Sequence, residues 1–494
     1  MGEPSTPGTP GKWQDSDVSL SRNPWRRPAI LSFDGGGIKG YSSLLILKDL
    51  MEKVMELERV QEVPHNSSYC FSHTPERTPQ EVMTFQEPQE NGRENELNRY
   101  LPCHYFDYIF GTSTGGLISL MLGRLRMSVD ETLGAFEDFG GEVFGASRFV
   151  YGRWIIGRAK YDLKRLESCV EQVIQRRRST PNKELRAVAR MEAPKDLCKS
   201  AVIACREKDG NFMPYLFRTY KIPPKRNYED NNTIYNAGEG HDVKIADAAA
   251  ATAAAPFYFE PKELRGMLFL DGGFGTNNPS SVACNDVAAM IGGTHGDPCY
   301  DMIEILIGIG TGNHDKLRIS HRKRVLGFQN IKMLSEFMKR MTTSSNQGHD
   351  SALVTTQITK IFYRRFNVRD GMGVVSLDEW KDDRGQGQST LDYIREKTRL
   401  ELAKSDVQRN IHECAQRLVD HRRARLETDS SMWERYTTGS LFQCGVPGCN
   451  KSEKEYTRRG CFARHLKNKH AGKYTKDAER ENFINFSRIY QSSV

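Results

Sequence analysis

Residues 105–122 read YFDYIFGTSTGGLISLML. An apolar run, Tyr105–Phe110, leads into Gly111-Thr112-Ser113-Thr114-Gly115, and apolar residues at helical spacing follow over Leu117–Leu125. Strand, tight turn and helix in that order push a serine out at the edge of a sheet. Glycines on either side keep neighbouring side chains from colliding with it. Ser113 is therefore the candidate nucleophile, with Gly111 and Gly115 forming its elbow. The plainer reading is an ordinary glycine-rich strand-to-helix turn.

The same alternation continues outward. Ala29–Phe33 reads as a buried strand, Asp34-Gly-Gly-Gly-Ile-Lys-Gly40 as a turn and Ser43–Leu57 as a helix. Ser128–Glu142 and Tyr161–Arg177 read as amphipathic helices, and Ala201–Cys205 with Pro214–Tyr220 as a hairpin around Asp209-Gly210. Ile245–Ala255 is an Ala-rich helix stopped by Pro256. Met267–Leu270 and Ile303–Ile309 are short apolar strands, the first ending at Asp271-Gly272-Gly273. This pattern predicts an α/β fold with a largely parallel sheet. From about residue 320 charged helices take over, notably Thr390–Glu427. Residues 1–26 and the proline-marked insertion 61–100 are expected to be disordered or flexible.

Two of these turns have more than one reading. Gly35, Gly37 and Gly40 fit the G-x-G-x-x-G dinucleotide fingerprint. Three consecutive glycines at a helix start would equally present unobstructed amides to a developing oxyanion, the use an acyl-transfer serine needs. For the base, Asp271 stands at a strand end, and a conventional triad through His295 or His314 is open as well.

The 494 residues carry a net charge of +8, with 38% hydrophobic and 27% charged residues, enough apolar material for a real core. No apolar run reaches the roughly 18 residues of a membrane span. The N-terminus has no apolar stretch of the secretory kind. Eleven scattered cysteines argue for reduced, intracellular thiols. The charge is concentrated: residues 441–494 hold 11 Lys and Arg against 5 Asp and Glu. A basic segment of this kind suits an anionic partner, nucleic acid or membrane surface, or is simply solvated.

DGGGIKG, GTSTGG and DGG, in this order and spacing, resemble the patatin-like phospholipase family from about Ala29 to Pro279. AATAAAPFYFEP (Ala250–Pro261) looks like its Ala-rich helix and the segment after it. Tyr363–Trp380 is similar to a stretch beyond the core in fungal members. The resemblance implies a three-layer α/β/α fold with a mostly parallel central sheet, occupying 27–285. A final core strand and helical extension would follow over 286–427. It also implies a Ser113–Asp271 dyad without histidine and an oxyanion hole from Gly35, Gly36 and Gly37. Lys39 would stand where the family has a basic residue, helping to hold the loop, facing a lipid phosphate or simply solvated. The implied activity is a serine lipid acyl hydrolase of the phospholipase A or lysophospholipase type, with no metal or calcium in catalysis. Its substrate would be a glycerophospholipid or other acyl lipid at a peripheral membrane surface, in the cytoplasm.

Residues 441–471 carry a second pattern. Cys444-x4-Cys449 and His465-x4-His470 are ligand pairs of finger type, and Phe442, Tyr456 and Phe462 keep the apolar spacing that packs a finger helix on its hairpin. The gap between the pairs is 15 residues, where about 12 is usual. The module resembles a single two-Cys, two-His zinc finger with a ββα form, followed by a basic tail, 472–494. Cys461 is expected on its helix. The polar stretch Glu427–Ser440 would separate it from the core as an independent unit. Arg458 and Arg464 fall near base-facing positions, but one finger reads only about three base pairs. A protein or anionic lipid therefore suits it better than sequence-specific DNA, although the finger leaves the nucleus open as a location. The competing functional reading is a nucleic-acid-binding finger protein with an inactive hydrolase-like domain.

Overall fold

The computed structural model describes residues 23–60, 96–145, 159–177, 189–222, 235–236, 240–292, 299–312, 328–384, 387–471, 473 and 488–490. Its frame is an eight-stranded mixed sheet. Five strands run parallel in the order β3 (Lys199–Lys208), β2 (Tyr108–Thr112), β1 (Ala29–Phe33), β7 (Ile305–Ile309) and β8 (Phe362–Phe366). Three antiparallel strands extend one side: β4 (Asn211–Arg218), β5 (Lys262–Leu264) and β6 (Met267–Asp271).

Alternation along the strands sorts side chains into two cores. Leu31 and Phe33 of β1, with Ile305, Ile307 and Ile309 of β7, enter the larger core beneath α1 (Gly40–Val60), α3 (Thr114–Ser119), α4 (Val129–Phe139), α5 (Leu163–Arg177) and α6 (Ile245–Thr252). A single helical turn, α2 (Pro102–Tyr105), precedes β2. Ile30, Phe110 and Leu306 enter the opposite core, against α7 (Ser280–Gly292) and Ala352 of α8 (Phe328–Thr359). Helices on both faces of a mostly parallel sheet make three layers. Among the described residues no helix is long and apolar enough to cross a membrane.

Several boundaries differ from those read in the sequence. The strand expected over Tyr105–Phe110 begins at Tyr108, because Pro102 starts the helical turn α2 and Tyr105 closes it. Asn23–Arg26 is a capped turn whose Trp25 ring lies 6.2 Å from Trp433 and 5.8 Å from Tyr436. Leu97 and Tyr100, at the end of the 61–100 insertion, are buried. Residues 1–22 and 61–95 lie outside the described residues.

The extension comprises α9 (Thr390–Leu402), α10 (Ser405–Thr428) and α11 (Ser430–Thr438). α11 replaces the expected polar linker. Asp429 caps it, Trp433 and Tyr436 are buried, and the Tyr436 hydroxyl donates to Phe106 O at 2.9 Å. Gly439, left-handed at φ 65°, turns the chain straight into β9 (Ser440–Gln443). β9 pairs antiparallel with β10 (Glu455–Tyr456), and α12 (Arg459–Lys469) packs on that hairpin through Phe442, Tyr456, Phe462 and Leu466. A third strand, β11 (Arg488–Tyr490), comes from the segment expected to be a tail and pairs with the other edge of β9.

Candidate active site

Strand register brings the two halves of the site together. β3 is ten residues long, and its first half pairs with β2, Ile203 opposite Thr112. Its second half pairs antiparallel with β6, Ala204 opposite Asp271. β2 and β6 therefore approach end to end along β3. Ser113 and Asp271, 158 positions apart, meet where the two strands stop. A Cβ at Gly272 would strike Ile203 O and Thr112, so the junction requires a glycine.

Ser113 sits at φ 56°, ψ −127°, a backbone state that non-glycine residues reach only when the surroundings enforce it. Gly111 and Gly115 make the corner possible, since a Cβ on the first would run into the carbonyl of the second. The Ser113 N–H donates to Thr252 Oγ1 at 2.9 Å, and that hydroxyl donates to Ile203 O at 2.5 Å. Ser113 Oγ donates to Asp271 Oδ2 at 2.6 Å, and Gly273 N–H donates to Oδ1 at 2.7 Å. Burial pushes the Asp271 carboxyl up to about 7, against the opposing pull of these two hydrogen bonds. Asp271 is 1% exposed and Ser113 7%. Among the described residues no histidine hydrogen-bonds either group; His295 and His314 lie outside the described residues.

The glycine loop lies against the elbow. Its first peptide is fully engaged: Gly35 N–H donates to Asn277 O at 3.1 Å, and Gly35 O accepts from Thr311 Oγ1 and Asn277 Nδ2. Gly35 therefore has no free amide to offer, which corrects its expected place among the oxyanion donors. Gly36 and Gly37 N–H donate to no described residue. Gly37 adopts φ +58°, and a Cβ there would enter the Leu377 carbonyl. Asp34 anchors the loop through a buried ion pair with Arg365, 2.6 Å at its shortest, and a bond from Ser345. Lys39 is 1% exposed, so it is not the solvated lysine of one sequence reading.

An apolar pocket opens over the pair. Phe136 and Phe139 of α4 line one side and Tyr258 and Phe259 another. Phe337 and Met341 of α8 complete the wall with Leu377. The sequence reading missed this lining, as it missed Thr252, Asn277, Thr311 and Arg365. Phe136 and Phe139 lay on a helix already read as amphipathic. The AATAAAP segment already contained Thr252, whose hydroxyl stands out in an Ala-rich helix.

The second cluster is local. Cys444, Cys449, His465 and His470 present donor atoms all within 4.8 Å of one another. Cys444 Sγ lies 3.5 Å from His470 Nε2, and Cys449 Sγ 3.6 Å from His465 Nε2. Around a tetrahedral ion with bonds of about 2.3 Å to sulfur and 2.0–2.1 Å to nitrogen, neighbouring donors fall about 3.5 Å apart. The four residues therefore fit such an ion. Cys461 is exposed on α12, outside the cluster. α12 is fastened to the extension: Arg459 donates twice to Glu434 at 2.9 Å, and Arg458 pairs with Asp429 at 3.2 Å.

The patatin-like phospholipase family matches residues 91–283, which contain the elbow and Asp271. Calcium-independent phospholipase A2-gamma of Rattus norvegicus is 27% identical over 219 residues, 43% of this chain and 25% of the relative. Patatin-like protein 2 of Arabidopsis thaliana is 24% identical over 359 residues, 67% of this chain and 72% of the relative. The cGAMP-activated phospholipase of Pseudomonas aeruginosa is 27% identical over 221 residues, 44% and 55% respectively. The chain spans about a quarter of the length of the mammalian relatives it matches.

Proposed function

We propose that this chain is a serine lipid acyl hydrolase that cleaves fatty-acyl esters of glycerolipids through Ser113 and Asp271. The observation that carries this reading is the 2.6 Å bond from Ser113 Oγ to a buried carboxylate beneath an apolar pocket. The similarity to phospholipases at modest identity supports a lipid ester as the substrate class.

In this mechanism Asp271 accepts the hydroxyl proton as Ser113 Oγ attacks the ester carbonyl. A carboxylate at the usual value near 3.9 is a feeble base towards a serine, and a value lifted to about 7 makes it a better one. Gly36 and Gly37 donate to the oxyanion, and the Thr252 hydroxyl fixes the elbow so that Oγ stays aimed at the carbonyl. The alcohol leaves with the proton from Asp271. Water then attacks the acyl-serine, giving its proton to the same carboxylate, which passes it to Ser113 Oγ as the acyl bond breaks and the fatty acid is released. Each step falls to a protein group, with none assigned to a metal. The pocket's phenylalanines and Met341 hold the acyl chain.

We assign the Cys444, Cys449, His465 and His470 cluster to a structural zinc ion, on the donor spacing and the two-thiol, two-imidazole chemistry. Such an ion would fix a module whose own core is only a few side chains. Of the two arginines near base-facing positions, Arg458 is engaged by Asp429 while Arg464 stays exposed on α12, and a single finger reads only about three base pairs, so a protein or anionic surface suits it better than a DNA sequence.

A fluorophosphonate probe tests the hydrolase. It should label the protein, and Ser113→Ala should remove both the label and the turnover of a soluble p-nitrophenyl ester without lowering the melting temperature. Labelling of the alanine variant at the original rate would sink the assignment.

A further inference from the structure

The antiparallel side of the sheet ends in a hairpin whose exposed surface is apolar where polar residues would be ordinary. Phe212 is 38% exposed, Met213 53% and Leu268 38%. Asp209 and Gly210, both at positive φ, form the two-residue turn that holds β3 and β4 in register at the tip. Phe212 and Leu268 lie on one face of the sheet in the same cross-strand row, flanking Glu207, and Met213 lies on the other face. The strand thus carries exposed apolar side chains on both sides, like a wedge.

This tip is continuous with the catalytic pocket. The Phe212 ring is 4.7 Å from Phe274, three residues after Asp271. Phe274 stacks on Phe337, 6.3 Å away, and Phe337 lines the pocket. The Arg340 guanidinium sits 4.5 Å over the Phe274 ring, and Lys208 is exposed at the tip. Apolar residues thus run from solvent to the wall beside Ser113, with cations alongside.

We propose that this hairpin inserts into the surface of a phospholipid bilayer and delivers acyl chains along Phe212, Phe274 and Phe337 to the pocket. The inference rests on the hydrolase reading for its substrate but not for its docking. A protein adding a strand at this edge is the poorer occupant. Pro214 has no N–H to give, and the neighbouring outward donors are taken: Leu216 N–H by Asn236 Oδ1, and Arg218 N–H by Gly240 O. A bilayer needs no backbone partner and accepts both faces of a wedge at once. Aromatic and long apolar side chains suit its interface, and Lys208 and Arg340 can meet its phosphates.

The test uses the full chain and phosphatidylcholine vesicles. Met213→Ser combined with Leu268→Ser should lower the vesicle partition coefficient at least about tenfold, since two large apolar side chains no longer leave water. Vesicle-phospholipid hydrolysis should fall with it, and soluble-ester turnover should hold, with a melting temperature only a few degrees lower. Met213→Trp is the second reading: its emission should shift to the blue when vesicles are added. Unchanged sedimentation of the double variant, or no emission shift, would overturn the proposal. So would a wild-type dimer that the double variant dissolves while vesicle binding persists, because the patch would then join two copies of this chain. Wild-type protein that docks as described but cleaves neither substrate would keep the docking surface and remove the hydrolase.

Discussion

The two clusters of chemical side chains are assembled in opposite ways. Ser113 and Asp271 come from strands 158 residues apart and meet because β3 pairs with β2 along one half and β6 along the other. The four finger residues fall between 444 and 470 and meet because one short hairpin and one helix fold over them. The first cluster is held by a sheet with large cores on both faces, so its geometry is present before any ligand arrives. The second has only Phe442, Val446, Tyr456, Phe462, Leu466 and its own cysteine as core. A carboxylate is buried at a cost in the first, and the surrounding fold bears it. In the second, the proposed ion would contribute the stability the core lacks.

The strongest way to break this contrast is Asp271→Asn. Soluble-ester turnover should fall by roughly a thousandfold or more, because the proton acceptor is gone. Stability should move the other way. Burial raises the native pKa to about 7, so the native state keeps a proton that the unfolded chain releases from about pH 4 upward. Stability therefore falls as pH rises from about 4 to about 7, and the asparagine variant escapes that loss. Its melting temperature should exceed wild type most at about pH 8 and converge with it near pH 4. Wild-type kcat/KM should climb through about pH 7 as the carboxylate ionises. A variant less stable than wild type at pH 8 would mean that Asp271 is not held at a cost.

These contrasts also explain what a single sequence can disclose. The glycine-marked turns were legible because tight approach of backbones leaves few residue choices, and each motif lies within a few residues. The apolar strands at Ala29–Phe33 and Ile303–Ile309 were legible by composition. β8 was not read as a strand, because Tyr363-Arg-Arg-Phe366 places two arginines inside it. Arg365 becomes admissible in the interior only when Asp34, 331 positions earlier, neutralises it. The end-to-end meeting of β2 and β6 depends on register between distant segments, which local pattern does not contain. The α11 helix was a different failure. Trp433 and Tyr436 stand three apart, a helical face visible in the sequence but outweighed by Ser430, Ser431, Glu434 and Arg435. Ser430 does go to solvent, Glu434 and Arg435 go to ion pairs, and the two aromatics decide the packing.

Cys444→Ser sharpens the comparison at intermediate size. Zinc content should fall from about one equivalent to near zero, and amides of 441–471 should exchange freely. Soluble-ester turnover should stay within about twofold, because no group that positions Ser113 or Asp271 comes from the finger. The melting temperature of the remaining body should drop slightly, since α11 loses its contacts with α12. Full zinc retention would refute the ligand assignment, and lost turnover would show that the two regions are one cooperative unit.

The smallest effect isolates the joint itself. Arg459 and Glu434 are 23% and 20% exposed, with two parallel bonds of 2.9 Å, better geometry than an ordinary surface pair. Even so, a partly solvated pair contributes only about 1 kcal/mol. Arg459→Ala should therefore leave zinc content and ester turnover unchanged and lower the melting temperature by only about 1–2 °C. Hydrogen exchange should quicken in α11 and β9, the elements the joint holds together. A double-mutant cycle with Glu434→Gln should return most of that energy as coupling. If the arginine change releases zinc, the joint is part of the metal module. If the cycle shows no coupling, the Arg459–Glu434 pair adds nothing and the Arg458–Asp429 pair carries the joint.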